Sequence, residues 1–158
     1  MVSKEDLKQI EMLSYLTDKM LDKMLPIIDV LRFDDQEIIF REGDFADRFF
    51  MLKRGKVLLE LRVSDKATVS MGSVKPGFSF GWSAMLDSGA YTTAAVCTEA
   101  TEVYSVRREK LLNLLDNDHS MGYVMTQRLI RIMKRRLDIR TEQFVRLIKN
   151  HPDMQNLF

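Results

Sequence analysis

Residues 78–93 of the 158-residue chain read FSFGWSAMLDSGAYTT. Within this stretch an aromatic-glycine pair ending at Gly81 precedes small side chains, and Tyr91, ten residues further on, is followed by two threonines. Two upstream stretches also begin with a phenylalanine and contain a glycine beside charged residues. Residues 40–47 read FREGDFAD, and residues 50–57 read FMLKRGKV. Glycines in such surroundings are typical of tight turns between short strands.

In this order and spacing, the three stretches resemble the cyclic nucleotide-binding domain superfamily, which includes the effector domains of catabolite activator-like proteins. The phosphate-binding cassette of that family runs F-G-E-x-A-L, and an arginine follows ten residues after the glycine. Phe80, Gly81 and Ala84 match the cassette. The resemblance covers roughly residues 5 to 145. It implies a mainly β fold, a β-roll or jelly-roll barrel of the double-stranded β-helix type, with N-terminal helices and a long C-terminal helix.

Both charged anchors of that cassette are replaced in this chain. The resemblance places the ribose-binding glutamate at Trp82 and the phosphate-binding arginine at Tyr91, while Thr92 and Thr93 stand where the family has small residues. A charge-assisted arginine contact contributes about 1.5–3 kcal/mol, which corresponds to about ten- to a hundredfold in affinity. We therefore predict weak or no binding of cyclic AMP and cyclic GMP.

The resemblance also predicts where a ligand would lie. The residues predicted to form the pocket are Gly81, Trp82, Ser83, Ala84, Tyr91, Thr92 and Thr93. Backbone N–H groups at the cassette would face an anion, and the hydroxyl groups, including that of Ser88, would suit a different anion or a neutral polar ligand. Two arrangements stay open: Trp82 turns inward with Tyr91 and plugs the pocket, or the pocket is open.

Hydrophobic periodicity predicts a single domain with three parts and a tail. They are N-terminal helices over residues 1–33, a β-roll over 34–107, C-terminal helices over 108–150 and a loose end over 151–158. Within the β-roll two hairpins are expected. One joins residues 48–53 to 56–63 through Arg54-Gly55, and the other joins 91–98 to 101–107.

The last helix combines an apolar stripe with many cations. Its apolar residues recur at sevens with offset positions, which is the spacing of a short coiled-coil seam interrupted by Arg140. The seam residues are Ile130, Met133, Leu137, Phe144 and Leu147. Met125, Leu129 and Ile132 are predicted to face the barrel or to act as a lid. The cations fit either the flank of a homodimer or contacts with nucleic acid phosphates.

Composition excludes several classes of function. The net charge of +1 argues against a wholly basic nucleic-acid binder, and the lone Cys97 is predicted to be buried. His119 and His151 have no partner at metal-ligand spacing, so neither a metal nor a cofactor is expected. There is no motif for a catalytic nucleophile or a phosphate loop, which predicts a protein that is not an enzyme.

The sequence further favours a cytoplasmic protein that does not contact membranes, because it shows neither a leader nor an apolar span. No helix-turn-helix follows the last helix, so sequence-specific DNA binding is not expected. The function that we predict is a stand-alone regulatory or sensor module with a non-standard pocket. It would signal through its C-terminal helix to an effector protein that the sequence does not identify. The alternatives are a ligand-free dimeric interaction module and, third, a non-specific nucleic-acid-binding protein.

Overall fold

The computed structural model describes residues 2–86 and 89–152, and within these ranges the chain forms a β-roll flanked by helices. The helices are α1 (Lys4–Lys8), α2 (Asp18–Met24), α3 (Arg108–Asn117) and α4 (His119–Asn150), and 3₁₀ turns span Leu25–Ile27 and Trp82–Met85. The strands are β1 (Ile28–Phe33), β2 (Ile38–Phe40), β3 (Arg48–Arg54), β4 (Val57–Ser64), β5 (Ala67–Val74), β6 (Ser79–Phe80), β7 (Ala94–Cys97) and β8 (Thr101–Arg107).

The strands form two antiparallel sheets of four, in the orders β1-β8-β3-β6 and β2-β7-β4-β5. Apolar side chains of both sheets, among them Phe49, Phe80 and Val57, are buried in one core. Cys97 is part of this core, as predicted, and burial raises the pKa of its thiol. The predicted fold class is confirmed.

Both predicted hairpins are wrong, because the paired segments lie in different sheets. β3 pairs with β6 and β8, whereas β4 pairs with β5 and β7. Gly55 and residues 98–100 are crossings between the sheets, and they meet at one corner, where the Thr98 N–H donates to the Lys56 carbonyl at 3.0 Å. The hairpin that does form joins β4 to β5 through Asp65 and Lys66. A tight glycine turn serves a hairpin and a sheet crossing equally well, so spacing alone does not distinguish them.

The β-roll also begins earlier than residue 34. β1 lies inside the segment predicted to be helical and pairs along its whole length with β8. Pro26 prevents α2 from continuing, because proline lacks a backbone N–H and its ring clashes with the preceding turn; only the 3₁₀ turn of Leu25–Ile27 separates α2 from β1. Thr17 caps α2, with its hydroxyl accepting from the Met20 N–H at 3.3 Å.

Helix α4 has two halves with different environments. Its first half is part of the core through Met121, Met125, Leu129 and Ile132, so the predicted inward-facing positions are confirmed. Asp118 caps its start, accepting from the Met121 N–H at 3.0 Å. Beyond Ile132 most side chains are exposed. The helix thus leaves the core half-way along its length.

A second set of contacts ties the middle of α4 to the N-terminal segment. The Arg135 guanidinium donates to both carboxylate oxygens of Glu11 at 3.2 and 3.1 Å. Arg128 donates to the Glu11 carbonyl at 3.3 Å and stacks over the Tyr15 ring, 3.9 Å from its centroid. These contacts fix the direction in which the exposed half of α4 leaves the domain.

Candidate functional site

The cassette turns sharply at Gly81, between β6 and the 3₁₀ turn of Trp82–Met85. Gly81 has a φ of 72°, which favours glycine. A Cβ atom at this position would lie 3.0 Å from the Phe50 ring and 3.3 Å from the Arg48 carbonyl oxygen. Both the conformation and the close packing therefore require glycine, which explains why this part of the family cassette is kept.

Arg108, at the start of α3, stabilises the cassette turn through hydrogen bonds to its backbone carbonyls. One guanidinium nitrogen donates to the carbonyls of Ser83, Ala84 and Leu86 at 3.2, 3.1 and 2.6 Å. The Arg108 backbone N–H donates to the Asp47 carbonyl at 2.7 Å. Sequence reasoning missed this residue, because it lies outside all three motifs. Its position directly after the last strand gives no signal of such a role.

Tyr91 lies at the base of the site and is almost fully buried. Its ring stacks on Phe40, with the centroids 3.7 Å apart. Its hydroxyl donates to the Arg48 carbonyl at 2.7 Å and accepts from the Arg48 N–H at 3.2 Å. Tyr91 therefore offers a ligand its ring, while its hydroxyl proton is committed to the protein.

This buried hydroxyl makes stability depend on pH at high pH. Burial raises the pKa of Tyr91 from 10.0 to about 12. The unfolded chain releases the proton more readily, so this contribution to stability is fully present below pH 10 and is lost as the pH rises towards 12. We expect the free energy of unfolding to fall by up to about 2.7 kcal/mol more in the wild type than in Tyr91→Phe over this interval. Urea titrations at several pH values measure the difference, and parallel profiles would contradict it.

Trp82 forms a wall of the site and does not plug it. The Arg136 guanidinium of α4 lies over its ring, 4.0 Å from the centroid, which is a cation–π geometry. Trp82 is only 8% exposed, and its indole N–H has no hydrogen-bond acceptor among the described residues. Trp82 faces Arg136, whereas Tyr91 stacks on Phe40.

Between the cassette, β4 and α4 lies an open cavity of about 420 Å³, within the size range of small-molecule sites in proteins. The β-roll supplies apolar and hydroxyl-bearing walls, and α4 supplies the cations. The described residues that line it are Phe40, Leu59, Phe80, Gly81, Trp82, Ser83, Leu86, Tyr91, Thr92, Thr93, Met133, Arg136, Leu137 and Arg140.

A family model described as "Cyclic nucleotide-binding domain" matches residues 30–118, more than half of the chain. The chain belongs to the cyclic nucleotide-binding domain family. No curated protein gives a significant match to the sequence.

Solved structures of cyclic nucleotide-binding domains agree with this assignment. A candidate cyclic nucleotide-binding protein of Geobacter metallireducens is 28% identical, with a TM-score of 0.76 over 87% of this chain and 99% of the other. A cyclic nucleotide-binding domain from Methylobacillus flagellatus superposes with a TM-score of 0.78 at 17% identity, over 94% of this chain and 83% of the other. The catabolite activator protein of Thermus thermophilus superposes with 0.73 at 23% identity, over 87% and 62%. Domains of this family are in general regulatory modules and not catalysts.

Most of the predicted pocket residues meet at the cavity. Gly81, Trp82, Ser83, Tyr91, Thr92 and Thr93 all line it. Ala84 does not, because it is fully buried beneath the turn and its N–H donates to the Gly81 carbonyl at 3.1 Å. Ser88 lies outside the described residues. That these residues bind a ligand stays a prediction.

Sequence reasoning missed the contribution of α4 to the cavity. The spacing assigns Met133 and Leu137 only to the seam, which Arg140 interrupts, and the sequence predicts no pocket role for Arg136 or Arg140, yet all four line the cavity. Their spacing is a signal that could have found them, since residues three, four and seven apart share one face of a helix. The spacing does not predict the direction in which α4 leaves the core, and so it does not show that this face borders the cavity.

The described part of the chain shows neither a metal-binding cluster nor a membrane-spanning helix. No group of three or more His, Cys, Asp and Glu side chains is placed there to hold a metal ion. None of the helices in these ranges combines the length and apolar character that a bilayer span requires.

Proposed function

We propose that this domain is a sensor that binds a small molecule in the cavity between the cassette and α4 and transmits its presence through α4. The observation that carries the proposal is that Met133 and Leu137 belong both to the cavity wall and to the predicted seam. A ligand in the cavity would contact the residues through which α4 meets a partner. It would therefore favour whichever arrangement of α4 binds it more tightly.

The partner that we propose for α4 is a second copy of this chain. Ile130, Met133, Leu137, Phe144 and Leu147 are all exposed and follow the coiled-coil spacing. Exposed apolar residues aligned along one helix face are typical of an association surface. In a parallel pair of α4 helices these side chains would be buried, and the two cavities would lie beside the seam.

Cyclic AMP and cyclic GMP are poor candidates for the ligand. The position of the family glutamate is occupied by Trp82, which lies under a cation, and the position of the family arginine by Tyr91, whose hydroxyl proton is already bound. A nucleotide held in the family's manner would lack both polar anchors. We expect affinity for it to be at least about ten- to a hundredfold below that of a site with an arginine anchor.

A thermal-shift screen against cyclic and linear nucleotides, other organic anions and neutral metabolites tests the proposal, because ligand binding raises apparent stability by mass action. We expect at least one compound to raise Tm clearly more than either cyclic nucleotide does. Sedimentation velocity on the same sample should then show a changed monomer–dimer equilibrium.

The control for this screen is a variant with the cavity filled. Thr93→Phe places a ring in the cavity and should abolish the shift, while Thr68→Phe, on exposed strand β5, should leave it unchanged. A dimer that persists while no compound shifts Tm would favour the alternative, a ligand-free dimeric interaction module. A shift that survives in Thr93→Phe would place the ligand elsewhere.

A further inference from the structure

The cavity has an unbalanced charge. Arg136 and Arg140 line it, and none of its described lining residues carries a carboxylate. Neighbouring cations on α4 have acidic partners: Lys134 pairs with Asp138 at 2.6 Å, and Arg135 pairs with Glu11 at 3.1 Å. Arg136, directly beside them, makes neither a hydrogen bond nor an ion pair with any described residue.

The surroundings of Arg136 disfavour its charge. Burial lowers the pKa of Arg136 below its ordinary value of 12.5, and Arg140 and Arg135 lower it further. A guanidinium remains protonated in proteins under ordinary conditions. The guanidinium lies over the Trp82 ring at the open side of the cavity, and its five N–H donors have no acceptor among the described residues. An anion there would relieve the repulsion between the two arginines.

Arg140 is engaged only by neutral groups in the described part of the chain. Its guanidinium donates to the Met71 carbonyl of β5 and to the side-chain carbonyl of Gln143, the latter at 3.1 Å. Both acceptors leave its positive charge uncompensated. Arg136 and Arg140 are four residues apart, so they project from the same side of α4, one turn from each other.

The opposite side of the cavity is apolar. The β-roll lines it with Leu59 and with the rings of Phe40, Phe80, Trp82 and Tyr91. The hydroxyl groups of Thr92 and Thr93 make no side-chain hydrogen bond with any described residue. A ligand that matches both sides needs an apolar or aromatic body and an anionic group at one end.

We infer that the ligand of this site is an organic anion whose body packs on the β-roll and whose carboxylate or phosphate is bound by Arg136 and Arg140 of α4. The inference rests on the proposed sensor function and specifies its ligand class. The anion-binding side of the site is then opposite to the one expected from the family cassette, because the charge of the ligand is bound by α4 and not by the β-roll. Such a ligand connects α4 to the β-roll directly, because each end of the molecule binds one of them.

The test compares anions with neutral counterparts of the same shape. Calorimetry is run with 4-phenylbutyrate against 4-phenylbutanamide, which represents carboxylates, and with 5′-AMP against adenosine, which represents phosphates. Each pair is measured on the wild type, on Arg136→Gln and on Arg131→Gln. Arg131 is exposed on the same helix and does not line the cavity, so it is the matched control for loss of one charge.

We expect at least one anion to bind about tenfold or more tightly than its neutral counterpart to the wild type. This preference should vanish in Arg136→Gln and persist in Arg131→Gln, and added salt should weaken it, because both arginines of the site are exposed. Retained affinity of Arg136→Gln for the neutral compound would show that the variant is folded.

Three outcomes would overturn the inference. If anion and neutral counterpart bind equally, or if Arg136→Gln keeps the preference, the anion is not bound by α4, while the sensor function itself survives. If no compound of either pair binds at millimolar concentration, the inferred ligand class is wrong. Whether the sensor function also fails is then decided separately by the thermal-shift screen and the Thr93→Phe control.

Discussion

Leu137→Glu is expected to convert a dimeric protein into a monomer. Leu137 is 63% exposed and lies in the middle of the predicted seam, between Met133 and Phe144. In a parallel pair of helices the two copies would bury their leucines against each other, each contributing about 1.5–3 kcal/mol. A glutamate there loses this contribution and forces two like charges together, so dimerisation should weaken by at least about a hundredfold.

Sedimentation velocity over a range of protein concentrations measures this effect. Arg131→Glu is the control, since it also places a new carboxylate on α4 but outside the seam. We expect Arg131→Glu to keep the wild-type association constant. A Leu137→Glu protein that dimerises as the wild type does would show that α4 does not form the interface.

Gly55→Ala should destabilise the domain more than the same substitution at a glycine whose turn leaves room for a Cβ atom. Gly55 has a φ of 98°, and an added Cβ would lie 2.5 Å from the Thr101 hydroxyl oxygen and 2.8 Å from backbone atoms of Ala100 and Thr101. Backbone atoms cannot rotate away, so the two sheet crossings would have to separate. Strain and overpacking together should cost about 2–5 kcal/mol, a large share of the about 5–15 kcal/mol that stabilises a typical domain.

Gly43→Ala separates the two causes. Gly43 also has a positive φ, 85°, but an added Cβ would meet nothing within 4 Å. Only the conformational cost of about 1–2 kcal/mol is expected there. Urea denaturation of both variants gives the comparison, and equal losses would mean that the corner at Gly55 is not tightly packed.

The fold could be predicted from the sequence because its turns carry local signals. The glycine turns and the cassette lie where the three motifs placed them. The pairing of strands could not be predicted in the same way. Pairing depends on which sheet each strand enters after a crossing, and that is decided by packing at the Gly55 corner and not by the local sequence.

The residues of the candidate site also fall into a group that could be predicted from the sequence and a group that could not. The residues contributed by the β-roll were predictable, because the cassette carries them in one continuous stretch. Arg136 and Arg140 were not, because their place depends on the direction of α4, which the contacts of Arg128 and Arg135 with Glu11 fix across more than a hundred residues of chain. The sequence showed the loss of two charged anchors, whereas the structure shows two other charges at the same cavity.

Emission from Trp82 tests the central claim most directly, that the cavity between the cassette and α4 is a ligand site. Trp82 is the single tryptophan of the chain, and it forms the cavity wall beneath Arg136. Excitation at the red edge of tryptophan absorption avoids the absorption of 5′-AMP and 4-phenylbutyrate, so both compounds can be titrated. We predict a saturable change in the intensity or wavelength of emission with at least one organic anion, and its loss in Thr93→Phe. Emission that stays constant with every compound, or that changes equally in Thr93→Phe, would contradict the claim.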